Sequence, residues 1–258
     1  MAPRPLSDTR ILATLTSTFE SFGYVPLDLD DIDAADRAVA IARSLGDDAP
    51  LRFWYERDAG GARQVGVELV SPASAVADAE VLALCVNAIE RAGLSLAPEW
   101  IEVGNVAFVR RELAQLPRAA QDAAVDALRR RDVAGALAIA RDAGMAPDAL
   151  ARTRHVLNLA GRGVEEIGEQ DEVWAIRHAI HYARELYPGT PLWGLPKLGL
   201  VSDRANASGV VFEVRYPPRE LTIACGGRSA EVAGFAIDVQ RLRVALADRG
   251  RRATPQDA

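Results

Sequence analysis

Three segments in the last third of the chain decide its fold: Gly209-Val210-Val211-Phe212-Glu213-Val214, Ala224-Cys225-Gly226-Gly227-Arg228, and Gly234-Phe235-Ala236-Ile237-Asp238-Val239-Gln240-Arg241-Leu242. The first is rich in β-branched and aromatic residues, so it is predicted as a strand. The second is predicted as a strand with a turn at its paired glycines, and the third as a strand that runs into a helix.

The length and composition of the chain exclude several classes of protein. With 258 residues, 49% of them hydrophobic, the chain can bury the core of one large domain, or of one domain that carries a smaller insertion. A net charge of −6 gives no general attraction to nucleic acid. The two cysteines, Cys85 and Cys225, lie in apolar surroundings, which argues against a disulfide framework or a zinc site.

The hydropathy pattern gives no sign of membrane insertion. No window reaches the roughly 20 apolar residues that a transmembrane helix needs, and the N-terminus has no apolar run of signal-peptide length. A cytoplasmic protein with neither a membrane nor a nucleic-acid partner is therefore expected. The basic run Arg129-Arg130-Arg131 is flanked by Asp126 and Asp132, so it is predicted as a solvated turn and not as a nucleic-acid patch.

The N-terminal part predicts two helices and an edge strand. Apolar spacing predicts a helix over Asp8–Phe22, and Tyr24–Leu27 predicts a short strand whose proline suits a sheet edge. A second helix is predicted over Ala34–Leu45. Aspartates that precede and enter this helix suit the positive end of its dipole better than a metal site, because their spacing lacks the glycine and distal glutamate of a calcium loop; they are Asp28, Asp30, Asp31, Asp33 and Asp36.

A hairpin and a long helix follow. Leu51–Tyr55 and Arg63–Val70 flank Asp58-Ala59-Gly60-Gly61, which predicts a hairpin with glycines at the turn. In its second strand Gln64 and Glu68 belong to a polar face that alternates with an apolar one. This face is either the solvated side of a half-exposed strand or a set of ligand-binding groups. Asp78–Leu94 then predicts an amphipathic helix.

The segments quoted above resemble the catalytic domain of histidyl-tRNA synthetases and of their relative without an anticodon-binding domain, the regulatory subunit of ATP phosphoribosyltransferase. The resemblance lies in the Val-Val-Phe-Glu strand, the Gly-Gly-Arg turn and the Gly-Phe-Ala strand. Gln64-Val65-Gly66-Val67-Glu68 is similar to the family's Gln-x-Gly-Val-Glu, whose polar residues point into the amino-acid and nucleotide pocket. Ala77–Arg111 also resembles the family, in scaffold residues.

The resemblance implies an α+β fold of the class II aminoacyl-tRNA synthetase-like kind: an antiparallel sheet with flanking helices and a small helical insertion. Residues 1–111 and 164–248 are predicted to form the discontinuous synthetase-like domain. Residues 112–163 are predicted as the insertion, with helical patterns over Arg118–Arg131, Asp132–Ala143 and Pro147–Leu159. Residues 249–258 are predicted as a disordered tail.

Two motifs that carry the chemistry of the synthetases have changed. Phe53-Trp54-Tyr55-Glu56-Arg57, set against the family's Phe-Arg-Tyr-Glu-Arg-like segment, puts Trp54 where an arginine binds the ATP α-phosphate. In the stretch before Phe212, Ser202 replaces the catalytic arginine, and Asn206 and Ala207 replace the two tyrosines of the histidine pocket. These residues supply no positioned positive charge for a phosphoryl centre. Arg204, two positions beyond Ser202, is a candidate substitute.

The resemblance with these changes implies a non-catalytic regulatory subunit of ATP phosphoribosyltransferase, needed for the first step of histidine biosynthesis and for histidine feedback inhibition. Expected partners are the short-form catalytic subunit, in a hetero-oligomer, and a second copy of this chain as a dimer. The predicted histidine ligands are Gln64, Glu68, Arg204 and Arg228, and Arg241 is a vestigial nucleotide-binding residue. No catalytic residue, metal or cofactor is expected. The alternatives are a residual ATP-dependent amino-acid-activating ligase and a stand-alone histidine sensor or scaffold.

Overall fold

The computed structural model describes residues 7–29, 33–45, 50–168, 170–187, 194–202 and 206–253. Within these residues the chain forms one eight-stranded sheet and nine α-helices. The strands are β1 Val25–Pro26, β2 Leu51–Ala59, β3 Ala62–Val70, β4 Ile101–Asn105, β5 Leu195–Pro196, β6 Val210–Tyr216, β7 Leu221–Arg228 and β8 Val232–Asp238. The helices are α1 Asp8–Ser21, α2 Ala34–Leu45, α3 Ala75–Arg91, α4 Val106–Glu112, α5 Arg118–Arg129, α6 Val133–Asp142, α7 Pro147–Asn158, α8 Asp171–Leu186 and α9 Val239–Ala253.

The sheet runs in the order β1-β2-β3-β8-β7-β6-β4-β5. The strands from β2 to β4 in this order all pair antiparallel, which confirms the predicted α+β fold built on an antiparallel sheet. The turn predicted at Gly226-Gly227 is wrong, because both glycines lie inside β7 and pair with β6 and β8. A Cβ at Gly226 would meet the Phe212 ring, so this glycine makes room for a side chain inside the sheet. The edge strands β1 and β5 instead pair parallel with β2 and β4, so the complete sheet is mixed. Pro26 in β1 has no backbone N–H for a further strand, and it suits the edge as predicted.

Helix α1 follows the predicted pattern to within one residue. It begins after Ser7, whose hydroxyl accepts a hydrogen bond from the Arg10 amide, and it ends before Gly23, where φ is +80°. A serine cap and a glycine with left-handed backbone are common helix boundaries. The buried face of the helix carries Ile11, Leu12, Leu15 and Phe19.

The β2–β3 hairpin places two glycines where the chain reverses. Gly60 and Gly61 have φ of +59° and +82°, the left-handed values that a two-residue type I′ turn requires. This turn sets the register, in which Arg57 lies opposite Gln64. The two side chains therefore share one face of the sheet.

One face of the sheet carries the main apolar core. Val65 and Val67 of β3 and Phe235 of β8 point toward a layer formed by α1, α3, α8 and α9. Phe19 of α1 packs edge-on against Phe235, with ring centroids 5.7 Å apart. We call this the helix face of the sheet.

The opposite face is covered in two places by different elements. Ala34 and Ala38 of α2 pack against Phe53 and Tyr55 of β2. Farther along the sheet, helices α5 to α7 form an apolar cluster that includes Val211 of β6. Part of this face over β3, β8 and β7 instead lines a polar cavity, so we call it the cavity face.

The three predicted helices of residues 112–163 are confirmed as α5, α6 and α7. Their apolar side chains, such as Leu128 and Ala140, belong to the same cluster as Val106 and Val109 of α4 and Val211 of the sheet. Since this cluster continues into the rest of the molecule, the division of the chain at residues 112–163 stays a prediction. We use "the insertion" only as a label for α5 to α7 with the turns between them, and we call their apolar cluster the insertion cluster.

The C-terminal helix extends beyond its predicted end. Residues 249–253, predicted as the start of a disordered tail, continue α9, and residues 254–258 lie outside the described residues. The helix is anchored at Asp248, which is 4% exposed. Its carboxylate accepts hydrogen bonds from the Tyr216 hydroxyl at 2.8 Å and from Arg219 Nη2 at 2.7 Å. This anchor holds the last turns of the helix against the β6–β7 connection.

Across the described ranges, no helix is both long and apolar enough to cross a bilayer.

Candidate functional site

A polar cavity of about 250 Å³ lies on the cavity face of the sheet, beside the N-terminus of α2. Strands β2, β3, β8 and β7 form its floor, and Ala34 and Ala35 close one side. The polar side chains that line it include Asp33, Arg57, Gln64, Glu68, Asp238 and Arg241. Three predicted site residues, Gln64, Glu68 and Arg241, are therefore brought together here.

Gln64 and Glu68 present different chemistry to the cavity. The Gln64 amide oxygen accepts a hydrogen bond from Arg57 Nε at 3.1 Å, so its amide nitrogen is left as the group that can donate to a ligand. Glu68 is only 2% exposed and lies opposite Gly234 of β8. A Cβ at Gly234 would come within 3.0 Å of the Glu68 carboxylate, so the glycine makes room for this side chain.

Small residues keep the floor of the cavity open between Gln64 and Glu68. Gly66 lies opposite Tyr55 on one side and Ala236 on the other. A Cβ at Gly66 would lie 2.7 Å from the Tyr55 hydroxyl oxygen and would also meet the Phe235 carbonyl oxygen. Cys225 pairs with Ala236 and lines the same floor.

Two arginines stand at the Gln64 end of the cavity. Arg57 lies 3.6 Å from the Asp33 carboxylate through Nη1 and 5.6 Å from the centroid of the Tyr55 ring. Arg241 Nε lies 3.1 Å from Asp238 Oδ2, and its Nη1 donates to the Thr222 carbonyl oxygen at 3.1 Å. Both guanidinium groups thus already have partners within the chain.

Arg228 does not line the cavity. Its side chain is 5% exposed, and its Nε donates to Asp78 of α3 at 2.6 Å, while Nη1 donates to the Ser71 carbonyl oxygen at 3.2 Å. Burial raises the pKa of the Asp78 carboxyl, and the Arg228 charge and hydrogen bond oppose that rise. Arg228 therefore lies apart from Gln64 and Glu68, and its ion pair with Asp78 links β7 to α3. Arg204 lies outside the described residues.

The insertion end of the cavity face holds a second ionic cluster. Glu102 of β4 and Glu213 of β6 are register partners, and we call them the acidic pair. Arg131 Nη2 contacts both carboxylates, at 2.7 Å for Glu102, and Lys197 Nζ lies 2.9 Å from Glu102. Burial raises the pKa of the Glu102 carboxyl, but the hydrogen bonds and charges of Arg131 and Lys197 outweigh it and hold that pKa below its ordinary value.

The prediction that Arg129-Arg130-Arg131 is a solvated turn is wrong for Arg131. Its backbone has φ of +62°, so it lies in the left-handed region at the turn between α5 and α6. The side chain contacts the acidic pair and is 29% exposed. The physical reason is the pair of facing carboxylates, which needs a positive partner when it is buried. Nothing in the local sequence shows this long-range contact.

Comparison with known proteins identifies the family. The profile described as histidyl-tRNA synthetase matches residues 56–242, a range that holds the second hairpin strand, the insertion and the C-terminal strands. The chain belongs to the histidyl-tRNA synthetase family.

Relatives of this chain carry the name ATP phosphoribosyltransferase regulatory subunit. The protein of that name from Desulforamulus reducens is 29% identical over 238 residues, which cover 79% of this chain and 58% of the relative. The one from Anaeromyxobacter dehalogenans is 30% identical over 240 residues, which cover 82% of this chain and 67% of the relative. The chain thus spans about three fifths to two thirds of the length of these curated relatives.

Solved structures share the fold. An ATP phosphoribosyltransferase regulatory subunit/histidyl-tRNA synthetase from Bacillus halodurans matches with a TM-score of 0.75 at 22% identity, covering 95% of this chain and 81% of the other. A chain of the ATP phosphoribosyl transferase complex from Thermotoga maritima matches with a TM-score of 0.63 at 14% identity, covering 90% and 97%. These matches confirm the class II synthetase-like fold.

Within the histidyl-tRNA synthetase fold, the placement of Trp54 at the phosphate-binding position is wrong. Trp54 packs on the helix face, against the main core, while Arg57 of the same strand lines the cavity. Residues of a strand alternate between the faces of a sheet, so positions 54 and 57 point to opposite sides. Sequence reasoning missed Arg57, although the two-residue turn at Gly60-Gly61 pairs it with Gln64.

Ser202, Asn206 and Ala207, which were predicted to replace the family's catalytic arginine and tyrosines, do not line the cavity. Ser202 is fully buried, and Ala207 packs against the insertion cluster. Asn206 has φ of +57°, a left-handed conformation that asparagine tolerates better than most residues. Among the residues that the structure describes, no three His, Cys, Asp or Glu side chains are grouped to hold a metal ion.

Proposed function

We propose that this protein is a regulatory subunit of ATP phosphoribosyltransferase that acts without chemistry of its own in the first step of histidine biosynthesis. The single observation that carries the proposal is the composition of the sheet cavity. Its lining keeps Gln64 and Glu68, the two polar ends of the segment that is similar to the family's Gln-x-Gly-Val-Glu. The predicted replacement of the catalytic arginine by Ser202 agrees with a subunit that has no chemistry of its own. The names of the curated relatives support the same function.

Histidine is the effector that the cavity fits. The Glu68 carboxylate offers an acceptor for the ligand's ammonium group, and such charge-assisted hydrogen bonds are the stronger kind. The Gln64 amide nitrogen, oriented by Arg57, offers a donor at the other end of the floor. The cavity has a volume of about 250 Å³, which gives room for a single amino acid between these groups.

The short-form catalytic subunit is the proposed protein partner, in a cytoplasmic hetero-oligomer that also contains a dimer of this chain. Support comes from the Thermotoga maritima complex, one chain of which shares the fold described here. The net charge of −6 gives no basis for binding tRNA.

The test is an assay of a short-form ATP phosphoribosyltransferase with and without this chain, followed by a titration with histidine. We expect the chain to stimulate the catalytic subunit and histidine to inhibit the mixture. Glu68→Gln should keep the stimulation and weaken inhibition by histidine about 10- to 100-fold, since one charge-assisted hydrogen bond is lost.

Glu56→Gln is the matched control, because Glu56 lies on the exposed part of β2, outside the cavity. It should inhibit like the wild type. Absence of any stimulation by the wild-type chain, together with no co-purification of the two subunits, would contradict the proposed partnership and favour a stand-alone sensor or scaffold.

A residual amino-acid-activating ligase is a second candidate, because Arg57 and Arg241 both line the cavity. Guanidinium groups at such positions can bind phosphate. This activity predicts pyrophosphate exchange by the isolated chain in the presence of ATP, magnesium and an amino acid. No exchange above background across the amino acids would remove it.

A further inference from the structure

The arginine end of the cavity is neutralised by the chain itself. Arg241 is held on two sides, by the Asp238 carboxylate through Nε and by the Thr222 carbonyl through Nη1. Asp238 is 9% exposed, while the Arg241 side chain is half exposed, so the ion pair lies where the cavity opens to solvent. A phosphate group that approached Arg241 would come close to the Asp238 carboxylate, which already neutralises the guanidinium charge.

Asp238 also occupies the N-terminus of α9. Its Oδ1 accepts a hydrogen bond from the Arg241 backbone amide at 2.9 Å, which is the geometry of a helix N-cap. The start of a helix of this length carries exposed N–H groups and partial positive charge, which attract anions. The helix N-terminus and the Arg241 guanidinium would each attract a phosphate at this point. The Asp238 carboxylate interacts with both of them.

Arg57 is neutralised in a similar way from the other side of the cavity. The Asp33 carboxylate at the start of α2 lies 3.6 Å from Nη1, and Gln64 takes the hydrogen bond of Nε. Among the charged side chains that line the cavity, two arginines face three carboxylates, those of Asp33, Glu68 and Asp238. The lining thus has one net negative charge.

We propose that Asp238 and Asp33 determine the ligand class of this cavity, so that it admits a zwitterionic amino acid and excludes nucleotides and other phosphate-bearing ligands. A triphosphate would bring several negative charges next to Asp238 and Asp33, which face it at short range. An amino acid brings an ammonium group that suits Glu68. The inference rests on the proposed function only in naming histidine as that amino acid.

The test is the binding of ATP and of histidine to the full chain and to Asp238→Asn, measured by isothermal titration calorimetry. Asparagine is as good an N-cap as aspartate, so the substitution removes the charge and keeps the helix start. We expect ATP affinity to rise about tenfold or more when this one carboxylate charge is removed. Histidine affinity should change less than twofold. Asp33→Asn is a second variant with the same expected direction, and the double variant should gain more than either.

Asp132→Asn is the matched control, because Asp132 caps α6 through the Gly135 amide and lies outside the cavity lining. It should leave both affinities unchanged. Wild-type protein that binds ATP as tightly as Asp238→Asn and Asp33→Asn would overturn the proposal. A gain in ATP affinity without any histidine binding would uphold the role of the two aspartates and would contradict histidine as the effector.

Discussion

The two halves of the cavity face use the same kind of residue in opposite ways. At the insertion end, Glu102 and Glu213 face each other and are closed over by Arg131, which comes from the turn between α5 and α6. At the α2 end, Glu68 is as deeply buried but points into a cavity. The first half holds its carboxylates in an ion cluster, and in the second half a carboxylate lines a cavity.

The difference shows that the covering element, and not the strand, decides what a buried carboxylate does. The insertion brings Arg131 directly onto its two glutamates. Helix α2 brings Ala34 and Ala35 to the cavity, with Asp33 at its edge. The small side chains of Ala34 and Ala35 leave space next to Glu68. Over Glu102 and Glu213 the corresponding space is filled by the Arg131 side chain. We therefore expect substitutions at the insertion end to change stability, and substitutions at the α2 end to change ligand binding.

The largest expected effect is on Arg131. Arg131→Ala leaves the acidic pair buried without this partner, and it should lower the free energy of unfolding by about 3 kcal/mol. Alanine has the same left-handed backbone cost as arginine, so the change reports the lost charge. Urea denaturation at neutral pH measures it. The neighbouring exposed residue gives the control Arg130→Ala, which should stay within about 0.5 kcal/mol of the wild type. Equal effects of the two variants would show that the ion cluster does not hold the insertion.

The next largest effect is on the floor of the open half. Gly66→Ala forces a methyl group against the Tyr55 hydroxyl and the Phe235 carbonyl, and it should cost about 2 kcal/mol and abolish histidine binding. Thermal melts and calorimetry measure both. Gly250→Ala is the control, because a Cβ there meets nothing within 4 Å and alanine favours a helix more than glycine does. A Gly66→Ala protein with normal melting and normal histidine affinity would show that the glycine is not needed for the cavity.

A smaller effect is expected from the pH dependence of the closed half. The folded-state pKa of Glu102 lies below its ordinary value of 4.5, so its ionised form contributes stability that is present above that pH and is lost as the pH falls through the folded-state pKa. Glu102→Gln lacks this contribution. The difference in unfolding free energy between wild type and Glu102→Gln should thus be largest near pH 7 and shrink in acid. A difference that does not vary with pH would contradict the pKa shift.

The smallest effect is a difference in the chemical labelling of the two thiols, which does not involve a change in stability. Cys225 lines the cavity, while Cys85 lies fully buried in α3, where burial and the nearby Cys225 raise its pKa well above the ordinary value. Brief treatment with iodoacetamide should label Cys225 and not Cys85, because the thiolate is the reactive form. Histidine should slow the labelling of Cys225, as read by mass spectrometry. A labelling rate of Cys225 that is the same with and without histidine would show that histidine does not bind in this cavity.

Much of the fold could be predicted because its signals are local. The apolar spacing of α1, the glycine turn at Gly60-Gly61 and the strand-to-helix step at Asp238 each act within a few residues. The polar face of β3 was visible in the alternation of Gln64 and Glu68 with valines. The helix cap at Asp238 was also within reach, since aspartate is a preferred N-cap residue, and opposite charges three residues apart at a helix start can pair.

The parts that could not be predicted depend on distant contacts. Arg131 was predicted in a solvated turn and Arg228 as a histidine ligand. Arg131 instead contacts Glu102 and Glu213, and Arg228 pairs with Asp78, all of which lie far away in the chain. No local pattern shows which residues meet across the sheet. The error at Trp54 had another source, since setting a shortened hairpin against a longer motif gave the wrong face, and only the register assigns Arg57 to the cavity.

Helix α9 runs from the cavity to the end of the described chain as one unbroken helix. Its first turn contains Arg241, and its fifteenth and last residue is Ala253, which gives a length of about 22 Å. Asp248 acts as a pivot, since it is clamped by Tyr216 and Arg219. Because the helix is continuous, a displacement of its C-terminal turn would be transmitted along the backbone to Arg241, whose side chain lines the cavity.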